Sequence, residues 1–119
     1  MQKMQDKENE ERQEREPMTE KQKNMCHDIL AHYGTAKQEV QAIQELSELI
    51  CVLARRKDQR KDPAAFRADL LSEITDCYVM IYQIAKAHDI YHIDIDMKIS
   101  EKLVRQMNRI EEEKKHEEA

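Results

Sequence analysis

The chain contains very few of the residues that make tight turns or build β-rich cores. Its 119 residues include one Gly, two Pro, one Phe and no Trp. Because Gly and Pro shape turns and aromatic residues favour strands, this composition argues against a β-sheet core. Ala, Leu, Ile, Met, Glu, Lys and Gln dominate instead, which is a helical composition. We therefore predict an all-α fold.

Other absences restrict the possible functions and partners. The three Cys residues show no C-x-x-C spacing, which argues against a disulfide framework and a thiolate zinc site and favours a reducing cytoplasm. No apolar stretch approaches the length of a membrane span, and no apolar signal segment follows the N-terminus, so we expect no membrane partner. The net charge of -5, with both signs interspersed, argues against nucleic-acid binding through general basicity.

Charge and apolar periodicity divide the chain into three parts. Residues 1–23 are nearly all polar or charged, so we predict a disordered or frayed N-terminal arm. Residues 113–119 are predicted to be a charged C-terminal tail. Between them, residues 24–112 are predicted to form one helical domain with a short first helix and three longer ones. The predicted helices lie near 24–33, 36–56, 64–88 and 96–112.

Local signals place the ends of these helices. Gly34 is predicted to end the first helix, because Gly is common at helix C-caps. Thr35 is predicted to cap the second helix, with Gln38 placed to complete a capping box. The third helix is predicted to have Asp62 as its cap and Pro63 as its first residue.

The second predicted helix has more apolar surface than one small chain can bury. Residues 43–54 are apolar on nearly every side of a helix. We predict that its core stripe consists of Val40, Ile43, Leu46, Ile50 and Leu53. Because a core built from so few helices is modest, we expect a four-helix bundle completed by assembly into a homodimer or homotetramer.

Two pairs of acids stand out beside these apolar stripes. Glu45 and Glu48 are three residues apart, so they lie side by side on a helix, and Glu73 and Asp76 repeat this spacing on the next helix. None of the four has a Lys or Arg at a neighbouring helical position. Acids crowded against apolar surface raise one another's pKa unless a cation neutralises them. The pattern therefore predicts a bound metal cation.

The fourth predicted helix carries a one-signed stripe beside its apolar face. Its basic members are Lys98, Lys102, Arg105 and Arg109, and Gln106 lies next to them. Arg and Lys in such an arrangement can hold phosphates. Taken alone, however, a basic stripe is more often a solvated helix face.

Glu-x-x-Glu on one helix followed by Glu-x-x-Asp on the next resembles the all-α nucleoside triphosphate pyrophosphohydrolases of the MazG-like kind. The resemblance covers most of residues 28–110. Its matching segments are Tyr33–Gln38, Gln44–Leu49, Ser72–Asp76 and Lys102–Arg109. It implies hydrolysis of the bond between the α- and β-phosphates of a nucleoside triphosphate, giving a monophosphate and pyrophosphate.

The resemblance also implies roles for individual residues. The four acids Glu45, Glu48, Glu73 and Asp76 are expected to hold Mg²⁺, with Mn²⁺ as a possible substitute. Carboxylates on two facing helices suit Mg²⁺, which prefers oxygen ligands and keeps several waters. Glu48 is our choice for the group that also orients the attacking water. Gln44 stands where a further acid is common in the family.

On the substrate side, the resemblance assigns phosphate contacts to the fourth helix. Lys102 and Arg109 match the family's phosphate-binding Lys and Arg, whereas Gln106 stands where Asn is usual. Gln38 matches a recurrent Gln and is expected to line the nucleoside pocket. The departures at Gln44 and Gln106 place substrate preference in doubt rather than the metal site.

Three other readings compete with this one. A di-iron site needs Glu-x-x-His, and Glu113 in the charged tail is the one Glu with His three residues later. Zinc is disfavoured for the same reason, because no histidine forms a ligand pattern with the acids. The remaining rival is a non-catalytic helical interaction module or a degenerate relative, which would have no reason to keep all four acids.

Overall fold

A computed structural model describes residues 2–7, 16–60 and 62–118, and every regular element in these ranges is helical. Four long helices follow one another: α1 is Glu20–Tyr33, α2 is Thr35–Leu53, α3 is Pro63–Ala87 and α4 is His92–Glu118. A short 3-10 helix, Lys57–Gln59, lies between α2 and α3. The predicted all-α class is confirmed.

The N-terminal arm is only partly described. Residues 2–7 are helical, and residues 8–15 of the predicted arm lie outside the described residues. Helix α1 begins at Glu20, four residues before the predicted start, because Thr19 caps it. The Gln22 amide donates to Thr19 Oγ1 at 3.2 Å and the Thr19 amide donates to Gln22 Oε1 at 2.9 Å, which is a complete capping box.

The boundary between α1 and α2 was predicted at the right residue, although its chemistry differs. Gly34 is the C-cap of α1, and its amide donates to the Leu30 carbonyl at 2.8 Å. The predicted capping role of Thr35 is wrong, because Gly34 is also the N-cap of α2 and no side chain caps that helix. At a φ of 86°, Gly34 adopts a conformation that residues with a Cβ rarely accept.

The predicted start of α3 is confirmed in detail. Asp62 Oδ1 accepts hydrogen bonds from the amides of Ala64 at 3.0 Å and Ala65 at 3.3 Å. Pro63 occupies the first helical position, where its missing N–H leaves no unmet hydrogen bond. The cap and the proline together fix where the chain enters the helix that carries the second acidic pair.

Helices α2 and α3 pack side by side and antiparallel, and they form the centre of the fold. Gln38 near the start of α2 donates a hydrogen bond to Gln83 near the end of α3. Glu45, about two turns further along α2, contacts Cys77, which precedes Gln83 on α3. Helix α1 packs on α3, where His27 Nε2 lies 3.0 Å from the Tyr82 hydroxyl. The buried apolar side chains of the described residues are small or, in one case, flexible: Cys26, Ala42, Val52, Cys77 and Met80.

The predicted core stripe of α2 is not buried in the single chain. Its five members, Val40 to Leu53, are 40–66% exposed. The face that packs on α3 is the one that carries Gln38, Ala42 and Val52. Because α2 is apolar nearly all round, periodicity alone did not show which side the neighbouring helix covers.

Helix α4 extends away from the other three helices. No Cα atom of α4 lies within 8 Å of a Cα atom of α1, α2 or α3. All of its described residues except Ile95 are exposed. The helix runs to Glu118, beyond the predicted end at 112, and ion pairs three residues apart in its last turns, such as Glu111 with Lys114 at 3.8 Å, accompany this extension.

None of the helices in the described ranges is both long and apolar enough to cross a membrane.

Candidate metal centre

The four predicted acids converge at the interface between α2 and α3. One carboxylate oxygen from each of Glu45, Glu48, Glu73 and Asp76 lies within 4.8 Å of the others. All four residues are half-buried. Because each pair has a three-residue spacing, both of its carboxylates point from the same side of their helix. Antiparallel packing of α2 on α3 then brings the two pairs together.

The cluster is incompletely satisfied by the protein itself. Gln41 Nε2 donates to Glu45 Oε1 at 2.8 Å, and Gln44 Nε2 lies at the long distance of 3.4 Å from Glu48 Oε1. The other oxygens of Glu45 and Glu73, both Oε2, are buried and have no hydrogen-bond partner. Buried polar oxygens are nearly always paired, so these two atoms require an explanation.

No basic side chain of the described residues forms an ion pair with any of the four acids within 4.0 Å. The nearest acid in sequence that has such a partner is Asp69, which Arg55 binds at 2.8 Å. One turn of α3 therefore separates a neutralised surface acid from an acid pair without a counter-charge. The four acids therefore lack a basic partner both within a helical turn of the sequence and among the part of the fold that the structure describes.

Burial and mutual repulsion act on the protonation of the cluster. Burial raises the pKa of Glu45 above its ordinary value, the hydrogen bond from Gln41 opposes this, and the charges of Glu48 and Asp76 raise it further. Burial also raises the pKa of Glu73, and the same two neighbouring acids add to it. The ionised form of both carboxylates is therefore less stable here than in water.

The donor set fits a hard divalent cation. All four ligand candidates are carboxylates, and oxygen ligands are what Mg²⁺ and Mn²⁺ prefer, whereas zinc and di-iron sites also use imidazole or thiolate. A cation of this class holds opposite oxygen ligands roughly 4–5 Å apart, which agrees with the spread of the four oxygens. The two unpartnered oxygens, Glu45 Oε2 and Glu73 Oε2, are the atoms that a cation would satisfy.

Gln38, the predicted nucleoside contact, lies in the seam between the helices. It is 6% exposed, and its Nε2 donates to Gln83 Oε1 at 2.7 Å. Gln83 is 1% exposed, so the pair of buried amides links α2 to α3. In this arrangement the side chain of Gln38 is engaged in holding α2 to α3.

The predicted phosphate-binding residues are not brought to the acids within one chain. Lys102, Gln106 and Arg109 are exposed on α4, whose backbone stays away from α2 and α3. Within the described residues, Lys102 and Arg109 form no ion pair, whereas Lys98 and Arg105 both bind Glu101, at 3.2 and 3.9 Å. The two bases with the predicted phosphate role therefore have no anionic partner among the described residues.

The arginines of the connection between α2 and α3 have structural contacts. Arg60 donates to the carbonyls of Leu53 and Arg55, both at 2.8 Å, and its guanidinium lies 4.3 Å from the centre of the Phe66 ring. Arg56 pairs with Asp58 at 3.2 Å. Lys61 lies outside the described residues. These contacts close the connection onto the ends of α2 and α3.

Two residues that support the cluster were missed from the sequence. Gln41 holds one oxygen of Glu45, and its position four residues before that acid was the available signal. Gln83 lies seven residues after Asp76 and therefore on the same face of α3. A lone amide on an otherwise apolar face was a sign that it has a buried partner.

Comparisons with protein-family models, with curated proteins and with solved structures returned no significant match. The residues of the chain and their geometry are therefore the observations that bear on its function.

Proposed function

We propose that the chain is a Mg²⁺-dependent nucleoside triphosphate pyrophosphohydrolase of the MazG-like kind, cleaving between the α- and β-phosphates. The observation that carries the proposal is the cluster of four half-buried carboxylates within 4.8 Å, two of whose oxygens are buried without a partner. A scaffold without a ligand gains nothing from such repulsion, because desolvated like charges destabilise the fold.

Each acid has a role in this proposal. Glu45, Glu48, Glu73 and Asp76 hold Mg²⁺, or Mn²⁺ in its place. A divalent ion bound there supplies neutralisation of phosphate oxygens and a lowered pKa of bound water. Glu48 accepts a proton from the water whose oxygen bonds to the α-phosphorus. The bond from that phosphorus to the bridging oxygen breaks, and its electron pair leaves with pyrophosphate.

The phosphate tail needs positive charge that the α2–α3 interface does not supply. Lys102 and Arg109 are assigned to it, because both are exposed, lie seven residues apart on one face of α4 and pair with no acid that the structure describes. Gln106 lies between them as a polar contact. Arg presents a planar fork of donors and Lys a point charge, and either can stabilise charge that develops on the leaving pyrophosphate.

We also propose that the chain assembles into a homodimer or homotetramer. Several large apolar side chains on α2, α3 and α4 are more than half exposed in the single chain, among them Ile43, Ile81 and Leu103. Exposed apolar area of this extent is characteristic of interaction surfaces.

The proposal is tested by offering the purified full-length chain a panel of ribo- and deoxynucleoside triphosphates with Mg²⁺. Equal amounts of nucleoside monophosphate and pyrophosphate are expected, and chelation with EDTA should stop their release. Glu48→Gln should lower kcat by about 10²–10⁴-fold, the usual contribution of a positioned base. Release of inorganic phosphate and a diphosphate instead would mean cleavage at another bond.

The matched control is Asp69→Asn. It removes one negative charge from α3 one turn before Glu73, but Asp69 binds Arg55 at the surface and is outside the cluster. Its activity should stay close to that of the wild type. Equal losses in the two variants would show that overall charge, rather than the cluster, controls activity.

A helical interaction module is the second candidate, favoured by the exposed apolar faces. It predicts a folded chain that releases no pyrophosphate from any triphosphate with Mg²⁺ or Mn²⁺. That result would overturn the catalytic proposal and leave the module in its place.

A further inference from the structure

Helix α4 presents an apolar stripe that no described residue of its own chain covers. Its members are Ile99, Leu103, Met107 and Ile110, which are 38–58% exposed. They recur three or four residues apart, so they lie on one side of the helix. An amphipathic helix with this pattern is stable in water mainly when its apolar side packs on a partner.

A groove of complementary character lies between α2 and α3. It has a volume of about 600 Å³ and is lined by Ala42, Ile43, Leu46, Met80, Ile81 and Ile84. Glu39 and His88 close one end of it, with Glu39 Oε1 at 3.0 Å from His88 Nε2. Ile43 and Ile81 are 65% and 55% exposed, so the groove is open to a helix from outside.

The accessible surface of the chain is large enough to include a protein–protein interface. The accessible surface of the chain is 10384 Å², whereas a compact monomer of this mass exposes about 6,800 Å². Its radius of gyration is 18.8 Å, against about 13–14 Å for a compact domain of this length. A stable protein–protein interface removes about 800 Å² from each partner. The excess is therefore sufficient for such an interface.

Charge favours pairing of α4 with α2 rather than with another α4. Helix α2 has one base, Lys37, and three acids: Glu39, Glu45 and Glu48. Residues 98–109 of α4 have the opposite balance, with one acid, Glu101, and four bases: Lys98, Lys102, Arg105 and Arg109. Complementary charge of this kind directs association and sets which surfaces pair.

The turn before α4 directs this helix away from its own groove. The Ile90 amide donates to the Ala85 carbonyl at 2.8 Å, and Asp89 adopts a positive φ of 54°. His92 is held by Glu16, with 3.2 Å between His92 Nε2 and Glu16 Oε1. Ile95, in the first turns of α4, reaches the end of the groove, and the apolar stripe that follows leaves it.

From these observations we infer that α4 is exchanged between two copies of this chain. The apolar stripe of each α4 lies in the α2–α3 groove of the other copy, and its basic edge faces the acids of that copy. At 1.5 Å per residue, the 27 residues of α4 span about 40 Å, enough to cover the full length of α2. The inference deepens the proposed self-association, and it gives the proposed catalytic site its phosphate-binding residues from the second copy.

The exchange is tested first by mass, which requires no activity. Sedimentation or light scattering of the full chain at micromolar concentration should give close to twice the chain mass of 14.2 kDa. Leu103→Asp on α4 and Ile43→Asp in the groove should each reduce this to the monomer mass. Both side chains are more than half exposed in the single chain, so α1, α2 and α3 should stay folded, and circular dichroism should show a loss of helicity no larger than the contribution of α4.

Asn108→Asp is the matched control, because it places the same carboxylate on the side of α4 away from the stripe. It should remain dimeric. A wild type that is monomeric, or a dimer that survives either apolar-to-Asp substitution, would overturn the exchange. Dissociation by Leu103→Asp with no effect of Ile43→Asp would indicate pairing between two α4 helices instead.

A second measurement separates the exchange from the catalytic proposal. Glu48→Gln chains are mixed with chains carrying both Lys102→Ala and Arg109→Ala, under conditions that allow subunits to re-assort. With exchanged helices, each mixed dimer has one site with intact acids and an intact basic stripe, so about a quarter of wild-type activity should return. No recovery from an active, dimeric wild type would overturn the exchange. A dimeric wild type without activity would remove the catalytic proposal, and the mass measurements would still decide the interface.

Discussion

At the scale of single residues, Glu45 shows how the cluster differs from an ordinary acidic surface. One of its oxygens accepts a hydrogen bond from Gln41, while the other is buried with no partner and faces three more carboxylates. Solvated acids relieve such repulsion through water and counter-ions, whereas a buried oxygen cannot. The metal-free chain therefore keeps Glu45 in an unfavourable position that a cation would correct.

Glu45→Gln should raise the melting temperature of the metal-free protein at pH 7, because it removes a desolvated charge and keeps the side-chain shape. The folded-state pKa of Glu45 is raised above 4.5, so the folded chain binds protons more tightly than the unfolded chain. Wild-type stability from this group therefore falls as pH rises from about 4.5 through the folded pKa. The gain from Glu45→Gln should shrink as pH is lowered towards 4.5, which thermal melts in EDTA would measure.

Addition of Mg²⁺ should reverse the order of the melting temperatures of the wild type and Glu45→Gln. The cation binds the folded state and raises the melting temperature of the wild type, whereas Glu45→Gln should respond little. Asp69→Asn serves as the control and should respond like the wild type, since Asp69 binds Arg55. An equal Mg²⁺ response in all three proteins would place the metal site elsewhere.

The acids could be predicted from the sequence because helical geometry converts spacing directly into direction. Two residues three apart on a helix must lie together, so Glu45 with Glu48 and Glu73 with Asp76 followed from counting. The buried pairing of Gln38 with Gln83 could not be predicted in this way. It depends on how far α2 is shifted along α3, and no local pattern fixes that register.

At the scale of helices, the start of α3 shows how much a single cap contributes. Asp62 accepts two backbone hydrogen bonds at the entry to the helix that carries Glu73 and Asp76. Asp62→Ala should lower the free energy of unfolding by about 1 kcal/mol, the usual value for loss of an N-cap. Urea unfolding would measure it.

Asp58→Ala is the comparison for this prediction. Asp58 lies in the same connection and forms an exposed pair with Arg56, so its loss should change stability by about 0–1 kcal/mol. Equal effects of the two substitutions would mean that Asp62 does not act as a cap.

The same scale shows where the predictions from sequence failed. The start of α1 was placed at residue 24 because the polar composition of the preceding residues was given more weight than the Thr19–Gln22 capping box. The stripe of Val40, Ile43 and their neighbours was taken as core because apolar periodicity identifies a face without naming what covers it. The first error overlooked a local signal, whereas the second reflects tertiary information that a local pattern does not contain.

At the scale of the whole molecule, the described chain has a small core and a large exposed apolar surface. Five small or flexible side chains are its buried apolar residues among those described. The stability of such a chain should depend on assembly, and therefore on concentration.

The wild-type melting temperature should rise with protein concentration over a hundredfold range, because dissociation accompanies unfolding. Differential scanning calorimetry or circular dichroism at several concentrations would measure this. The melting temperature of Leu103→Asp should be the same at every protein concentration. A wild-type melting temperature that does not change with concentration would contradict assembly-dependent stability.

The one-signed edge of α4 also bears on how the chain reaches its final state. Helices α2 and α3 are joined by a short connection, so they can pair within one chain soon after synthesis. In the proposed exchange, helix α4 waits for an encounter with a second molecule, and during that interval its apolar stripe is open to wrong contacts. Because Lys98, Lys102, Arg105 and Arg109 border the stripe, these charges would oppose pairing of two waiting α4 helices along their basic edges. The same charges that would direct α4 to an acidic partner would thus also limit mispairing and aggregation of the newly made chain.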